Sequence, residues 1–131
     1  MKLPPSILQF VKFGIVGIAN TLLTALTIWL LLKVFHYSDY LANIIGYIVG
    51  LTNSFVWNRR WTFKHTENFK VTILKFIVIF AISYLFQLGN LYVLLHFTSI
   101  DSYVCQLLSI VVYTSINFLL NKYYTFKDNT K

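Results

Sequence analysis

Charge is scarce in this 131-residue chain: Asp, Glu, Lys and Arg together make 11% of it, and only four residues are acidic. A soluble domain carries about 25% charged residues. This chain has too few to cover a water-facing surface, so lipid is its natural solvent. Cys105 is the single cysteine, which excludes an internal disulfide. It lies in an apolar run and reads as a small buried residue. The three histidines, His36, His65 and His96, have no carboxylate or serine constellation near them. His-x-x-x-His and Cys-x-x-Cys spacings are both missing, so neither a metal site nor a catalytic site is supported. No Gly-rich loop leads into Lys-Ser/Thr, which argues against ATP hydrolysis. No cofactor is expected. No Asp or Glu falls inside an apolar run, and intramembrane carboxylates usually mark proton pathways. Proton-coupled antiport is therefore disfavoured.

Apolar residues make 57% of the chain. They gather in four runs, Phe10–Leu32, Tyr40–Trp57, Ile73–Phe97 and Tyr103–Leu120. Roughly 20 helical residues cross a bilayer. The runs are continuous rather than alternating, so they predict helices and not barrel strands. The start, Met1-Lys2-Leu3-Pro4-Pro5-Ser6, has the basic character of a secretory signal. The run that follows is too long for a signal core and lacks a small-residue cleavage site, so it reads as a retained span.

Ten of the eleven Lys and Arg residues lie before or at the start of span one, between spans two and three or at the start of span three, or after span four. The other two loops, His36-Tyr37-Ser38-Asp39 and Thr98-Ser99-Ile100-Asp101-Ser102, carry acids and no cation. Lys33 is the exception, and its long side chain can snorkel. By the positive-inside rule both termini and the central loop face the cytoplasm. The net charge of +7 then favours anionic lipid headgroups over nucleic acid as partner.

The chain also repeats itself. Ser54-Phe55-Val56-Trp57-Asn58-Arg59-Arg60-Trp61-Thr62-Phe63-Lys64 returns 63 residues later as Asn117-Phe118-Leu119-Leu120-Asn121-Lys122-Tyr123-Tyr124-Thr125-Phe126-Lys127, with five identities. The same offset pairs Lys12-Phe13 with Lys75-Phe76. This predicts one all-α domain over residues 1–131, built from two parallel two-helix repeats at about 10–64 and 73–127. Span two carries Ala42, Gly46, Gly50 and Ser54 at a four-residue period, which allows close packing on another helix of the same chain or of a second copy. Span four keeps only part of that ladder, and Gly14 and Gly17 become Ile77 and Phe80 in span three. The two halves cannot pack identically.

Arginine forks match phosphate oxygens in pairs, lysine adds a compact charge, and asparagine serves phosphate or sugar hydroxyls. Arg59, Arg60 and Lys122, with Lys12 and Lys75, are the phosphate candidates. Asn58, Asn121, Asn20, Asn53 and Asn117 are the headgroup candidates. Basic residues and aromatic belts also anchor helix ends in any membrane protein. Anchoring alone, however, needs no fixed order of Asn, cation, aromatic and Thr-Phe-Lys.

With its double motif and its opening Phe10-Val11-Lys12-Phe13-Gly14-Ile15-Val16-Gly17 followed by Asn20-Thr21, the chain resembles the GtrA-like family of small four-span proteins. The resemblance implies a flippase that moves a polyprenyl-phosphate-linked sugar from the inner to the outer leaflet of a bacterial membrane. A separate glycosyltransferase partner would then use the sugar for surface polysaccharide or teichoic acid glycosylation. The rival expectations are a non-transporting adaptor for such an enzyme and a small-solute exporter. Four short helices enclose little volume, which favours a homo-oligomer.

Overall fold

The computed structural model describes residues 5–62 and 69–125. Four helices, α1 (Pro5–Trp29), α2 (Asp39–Trp57), α3 (Phe69–Phe97) and α4 (Ser102–Leu120), form an up-down bundle. α1 packs along α2 and α3 along α4, and α1 also meets α4. Phe10 touches Phe118 (5.0 Å between ring centroids) and Phe13 meets Phe76 edge-on (6.0 Å), so the starts of α1 and α3 lie at the same end as the finish of α4. This is the basic end. Asp39 and Asp101 occupy the opposite end.

α2 and α4 each start on a residue that caps them. Ser38 caps α2 by accepting from Leu41 N, and Asp101 caps α4 by accepting from Tyr103 N and Val104 N. A carboxylate there also meets the positive end of the helix dipole. Lys33, the one cation at this end among the described residues, lies 3.8 Å from Asp101. Both partners are exposed, so the pair contributes at most about 1 kcal/mol.

The molecule is apolar outside and polar within. Ile18, Leu22, Leu85 and Phe86 are 61–67% exposed, while Asn43, Gln87, Gln106 and Asn121 are fully buried. Hydrocarbon accepts the former at no cost, and the latter find partners inside. Among the described residues, α1, α3 and α4 are long and apolar enough to cross a bilayer, which is three spans rather than the four expected. α2 differs because it carries small and polar residues, Asn43, Gly46, Gly50 and Ser54, all of them buried in the bundle. Its 19 residues still extend about 28 Å.

The small-residue ladder of α2 is consumed within the chain. A Cβ at Gly46 would lie 2.6 Å from Ile28 Cγ1, and one at Gly50 would collide with Thr24 Oγ1. α1 therefore sits directly on this face. Gly50→Ala is expected to lower stability by about 1–3 kcal/mol through overpacking. Thr24→Ala in the same background should restore most of it, because the colliding oxygen is gone. Thermal unfolding of the purified single and double variants in detergent checks this. Additive losses would show that the two residues are not in contact.

Three contacts join residues 63 positions apart: Asn43 with Gln106, Asp39 with Ser102, and Phe13 with Phe76. They run from the acidic end to the basic end along the middle of the bundle.

Candidate functional site

Both copies of the repeated motif end their helix in a π-helical turn, Asn58–Thr62 after α2 and Asn121–Thr125 after α4. The motif asparagine holds each turn. Asn58 Nδ2 donates to Ser54 Oγ at 3.0 Å, and Asn121 Nδ2 donates to Asn117 O and Oδ1 at 2.9 and 3.1 Å. With 4% and 0% of their surfaces exposed, these two side chains are directed back onto their own helices. A wide turn lifts the following residues outward, and Arg59, Arg60, Trp61, Lys122, Tyr123 and Tyr124 are all exposed.

The first turn packs on α1 and the second on α3. The cations thus stand on two supports. Lys12 of α1 places its Nζ 5.3 Å from the centroid of the Trp61 ring, tying that helix to the Arg59-Arg60 turn through a cation–π contact. Lys75 is exposed near the start of α3, whose packing partner is the Lys122 turn. Lys122 Nζ lies 5.7 Å from the centroid of the Tyr123 ring.

Between α1 and α4, backed by α2, runs a groove of about 570 Å³. That falls within the rough 300–1,000 Å³ range of small-molecule sites. Phe10, Phe13, Phe76 and Phe118 form its end near the basic face, and Asn20, Thr24, Tyr47 and Tyr113 lie deeper. None of the five candidate cations lines it. Of the asparagines, Asn20 and Asn117 do. Asn53, chosen from the sequence together with Asn20, donates to Asn20 Oδ1 at 2.6 Å. A second chain of bonds enters from the basic end: Asn121 donates to Asn117, and Asn117 Nδ2 donates to the Tyr113 hydroxyl at 3.4 Å.

The groove ends where a closed polar network begins. Asn43 exchanges bonds with Gln87, donates to Gln106 and accepts from the Tyr84 hydroxyl, all at 2.9–3.1 Å. Gln106 Nε2 continues to Asp39 O at 2.9 Å. The polar side chains inside the bundle thus fall into two clusters. One lines an opening and the other is sealed. Tyr47, one turn from Asn43, divides them, with its ring against Tyr84 and Tyr113.

Sequence reasoning missed Tyr47 and Tyr113, because an aromatic in a span looks the same whether it faces lipid or a cavity. The available signal was the replacement of Gly14 and Gly17 by Ile77 and Phe80, which marks the α1 side as the emptier one.

The description "GtrA/DPMS, transmembrane domain" belongs to the family model that matches residues 12–126. The chain is 32% identical over 130 residues to the membrane protein YngA of Bacillus subtilis strain 168, covering 92% of this chain and 80% of that protein. It is 25% identical over 123 residues to the bactoprenol-linked glucose translocase of Shigella phage SfV, covering 91% of this chain and 95% of that one. Dolichol-phosphate mannosyltransferase of Pyrococcus furiosus is 28% identical over 127 residues, covering 95% of this chain but 36% of the enzyme. No solved structure matches.

Proposed function

The chain belongs to the GtrA/DPMS transmembrane domain family, and from that premise we propose that it translocates a polyprenyl-phosphate-linked sugar across a bacterial plasma membrane. The observation that carries this reading is the basic end with its two cation-bearing turns, beside a groove whose walls are mostly apolar and whose deeper part is polar. A lipid-linked sugar has matching parts. Its phosphate meets Arg59, Arg60 and Lys122, with Lys12 and Lys75 adding charge. Arginine offers a bidentate fork, and lysine a point charge. Asn20, Asn53 and Asn117 serve the headgroup. Asn58 and Asn121 act through the turns that they hold. The bactoprenol-linked glucose translocase of phage SfV, aligned over 95% of its length, supports the polyprenyl class.

The two halves are parallel tandem repeats, a reading supported by the contacts between residues 63 apart near the bundle's centre. The positive-inside rule puts the basic end and both termini in the cytoplasm. The lipid then loads from the inner leaflet and leaves from the outer one. Transport runs downhill, drawn by a glycosyltransferase that consumes the sugar outside for polysaccharide or teichoic acid glycosylation.

The mannosyltransferase likeness favours a second reading. Only 36% of that enzyme aligns, as a membrane segment beside an enzymatic part would. A non-transporting adaptor for a separate glycosyltransferase fits this. It needs a free docking face, and the Gly46/Gly50 face is already taken by α1.

Purified protein in liposomes, loaded with labelled polyprenyl-phosphate hexose, separates the readings. An impermeant reagent that modifies only outer-leaflet sugar should reach a growing fraction of the label when the protein is present. Label that stays where it was loaded would leave the adaptor. Movement of compounds without a polyprenyl tail would point to a solute exporter.

A further inference from the structure

We infer that the sugar enters the groove between α1 and α4, that among the described residues the first half alone offers such a groove, and that Gly14 and Gly17 set what it admits. The identity of the lipid rests on the translocase reading above. The choice of groove and of the part of the lipid that enters it rests on geometry.

The two halves differ at this place. A Cβ added at Gly14 or Gly17 would meet nothing within 4 Å. The space beside α1 is therefore open. At the corresponding positions of α3 stand Ile77 and Phe80. Phe80 stacks on Tyr84 at 5.8 Å and meets Tyr113 at the same distance. Aromatic side chains occupy the second half where the first half leaves a passage.

The deep part of the groove is built for hydroxyls. Tyr47 lines it and is 4% exposed, and its own hydroxyl has no partner among the described residues. A buried hydroxyl without a partner is unfavourable, so a groove meant for hydrocarbon alone would not keep one. Asn20 gives its oxygen to Asn53 and retains two amide donors. Tyr113 accepts from Asn117 and retains its own O–H to donate. A sugar suits this mix, with hydroxyls at its edge for Tyr47, Tyr113 and Asn20 and C–H faces for the aromatic walls. The isoprenoid tail leaves sideways past Ile15 and Ile18, which line the groove and are 52% and 65% exposed.

The test is binding of two lipids, polyprenyl-phosphate hexose and bare polyprenyl phosphate, to purified full-length protein by native mass spectrometry. The variant Gly14→Ile/Gly17→Phe gives α1 the residues of α3. It should weaken the sugar-bearing lipid by about tenfold or more and leave the bare carrier nearly unchanged. If the double variant fails to fold, Gly17→Val alone narrows the same passage. Ile77→Phe, on the exposed face of α3, should change neither affinity. An unchanged preference for the sugar-bearing lipid in the groove variant would overturn the inference. So would equal loss of both lipids, which would put the tail in the groove. The liposome assay decides the other question separately. A wild type that moves no lipid, with a groove variant that loses the sugar preference, keeps the groove and sinks the translocase. A chain that moves lipid and ignores the plug keeps the translocase and sinks the groove.

Discussion

Asn43→Leu is expected to destabilise the protein by about 3 kcal/mol, the largest loss from any single substitution considered for this bundle. The change is close in size and fully apolar, and in a lipid solvent it gains almost nothing by burial. What it loses is four hydrogen bonds at the meeting of α2, α3 and α4. Such bonds average about 0.6 kcal/mol in membrane proteins, because the separated helices also find partners. The orphaned groups decide the larger figure. Gln87 and Tyr84 lose their acceptor and Gln106 loses a donor, and Gln87 and Gln106 have no exposed surface through which water could replace them. Unfolding of the purified variant by denaturing detergent, compared with wild type, reads the loss. Asn90→Leu removes one bond, to Ser109 at 3.1 Å, and should cost less than about 1 kcal/mol. If Asn43→Leu proved as mild as Asn90→Leu, the network would not be what seals the acidic half of the bundle.

Arg59→Gln/Arg60→Gln is expected to slow lipid transport by about tenfold to a hundredfold, the largest functional effect outside the groove. A charge-assisted hydrogen bond to phosphate contributes about 1.5–3 kcal/mol, and each 1.4 kcal/mol is tenfold. Both side chains are exposed on the turn Asn58–Thr62, so stability should barely move. Added salt should slow the wild type and affect the variant less, since screening acts on the charges that the variant lacks. Lysine at both positions keeps the charge without the planar fork, so an intermediate rate is expected. Initial rates in liposomes at low and high salt test all three statements. A variant as fast as wild type would remove these arginines from the lipid's path, while Lys12, Lys75 and Lys122 would remain to be tested.

Helix ends at Trp57, Phe97 and Leu120 agree with the apolar runs, because asparagine or a capping loop follows each at once. Helix starts disagree more. α1 begins at Pro5 and α3 at Phe69, before the apolar runs open. A hydropathy limit marks where hydrocarbon begins, and a helix can extend beyond it into the headgroup layer. The sequence also singled out Asn20 and Asn53 without being able to say that they bond to each other. In the same way it singled out Asn58 and Asn121 by their repetition. Both stand at the base of a π-helical turn. Each asparagine bonds back to its own helix at the base of the wide turn that carries the cation and aromatic behind it.

Lipid as solvent, helices as the spanning form and the clustering of cations at one end followed from the chain alone, since they depend on composition and on position along it. The fate of the glycines did not. Gly46 and Gly50 vanish beneath Ile28 and Thr24, whereas Gly14 and Gly17 face empty space. All four are the same residue on membrane helices. A missing side chain can admit a neighbouring backbone or leave a passage, and only the position of the next helix determines which.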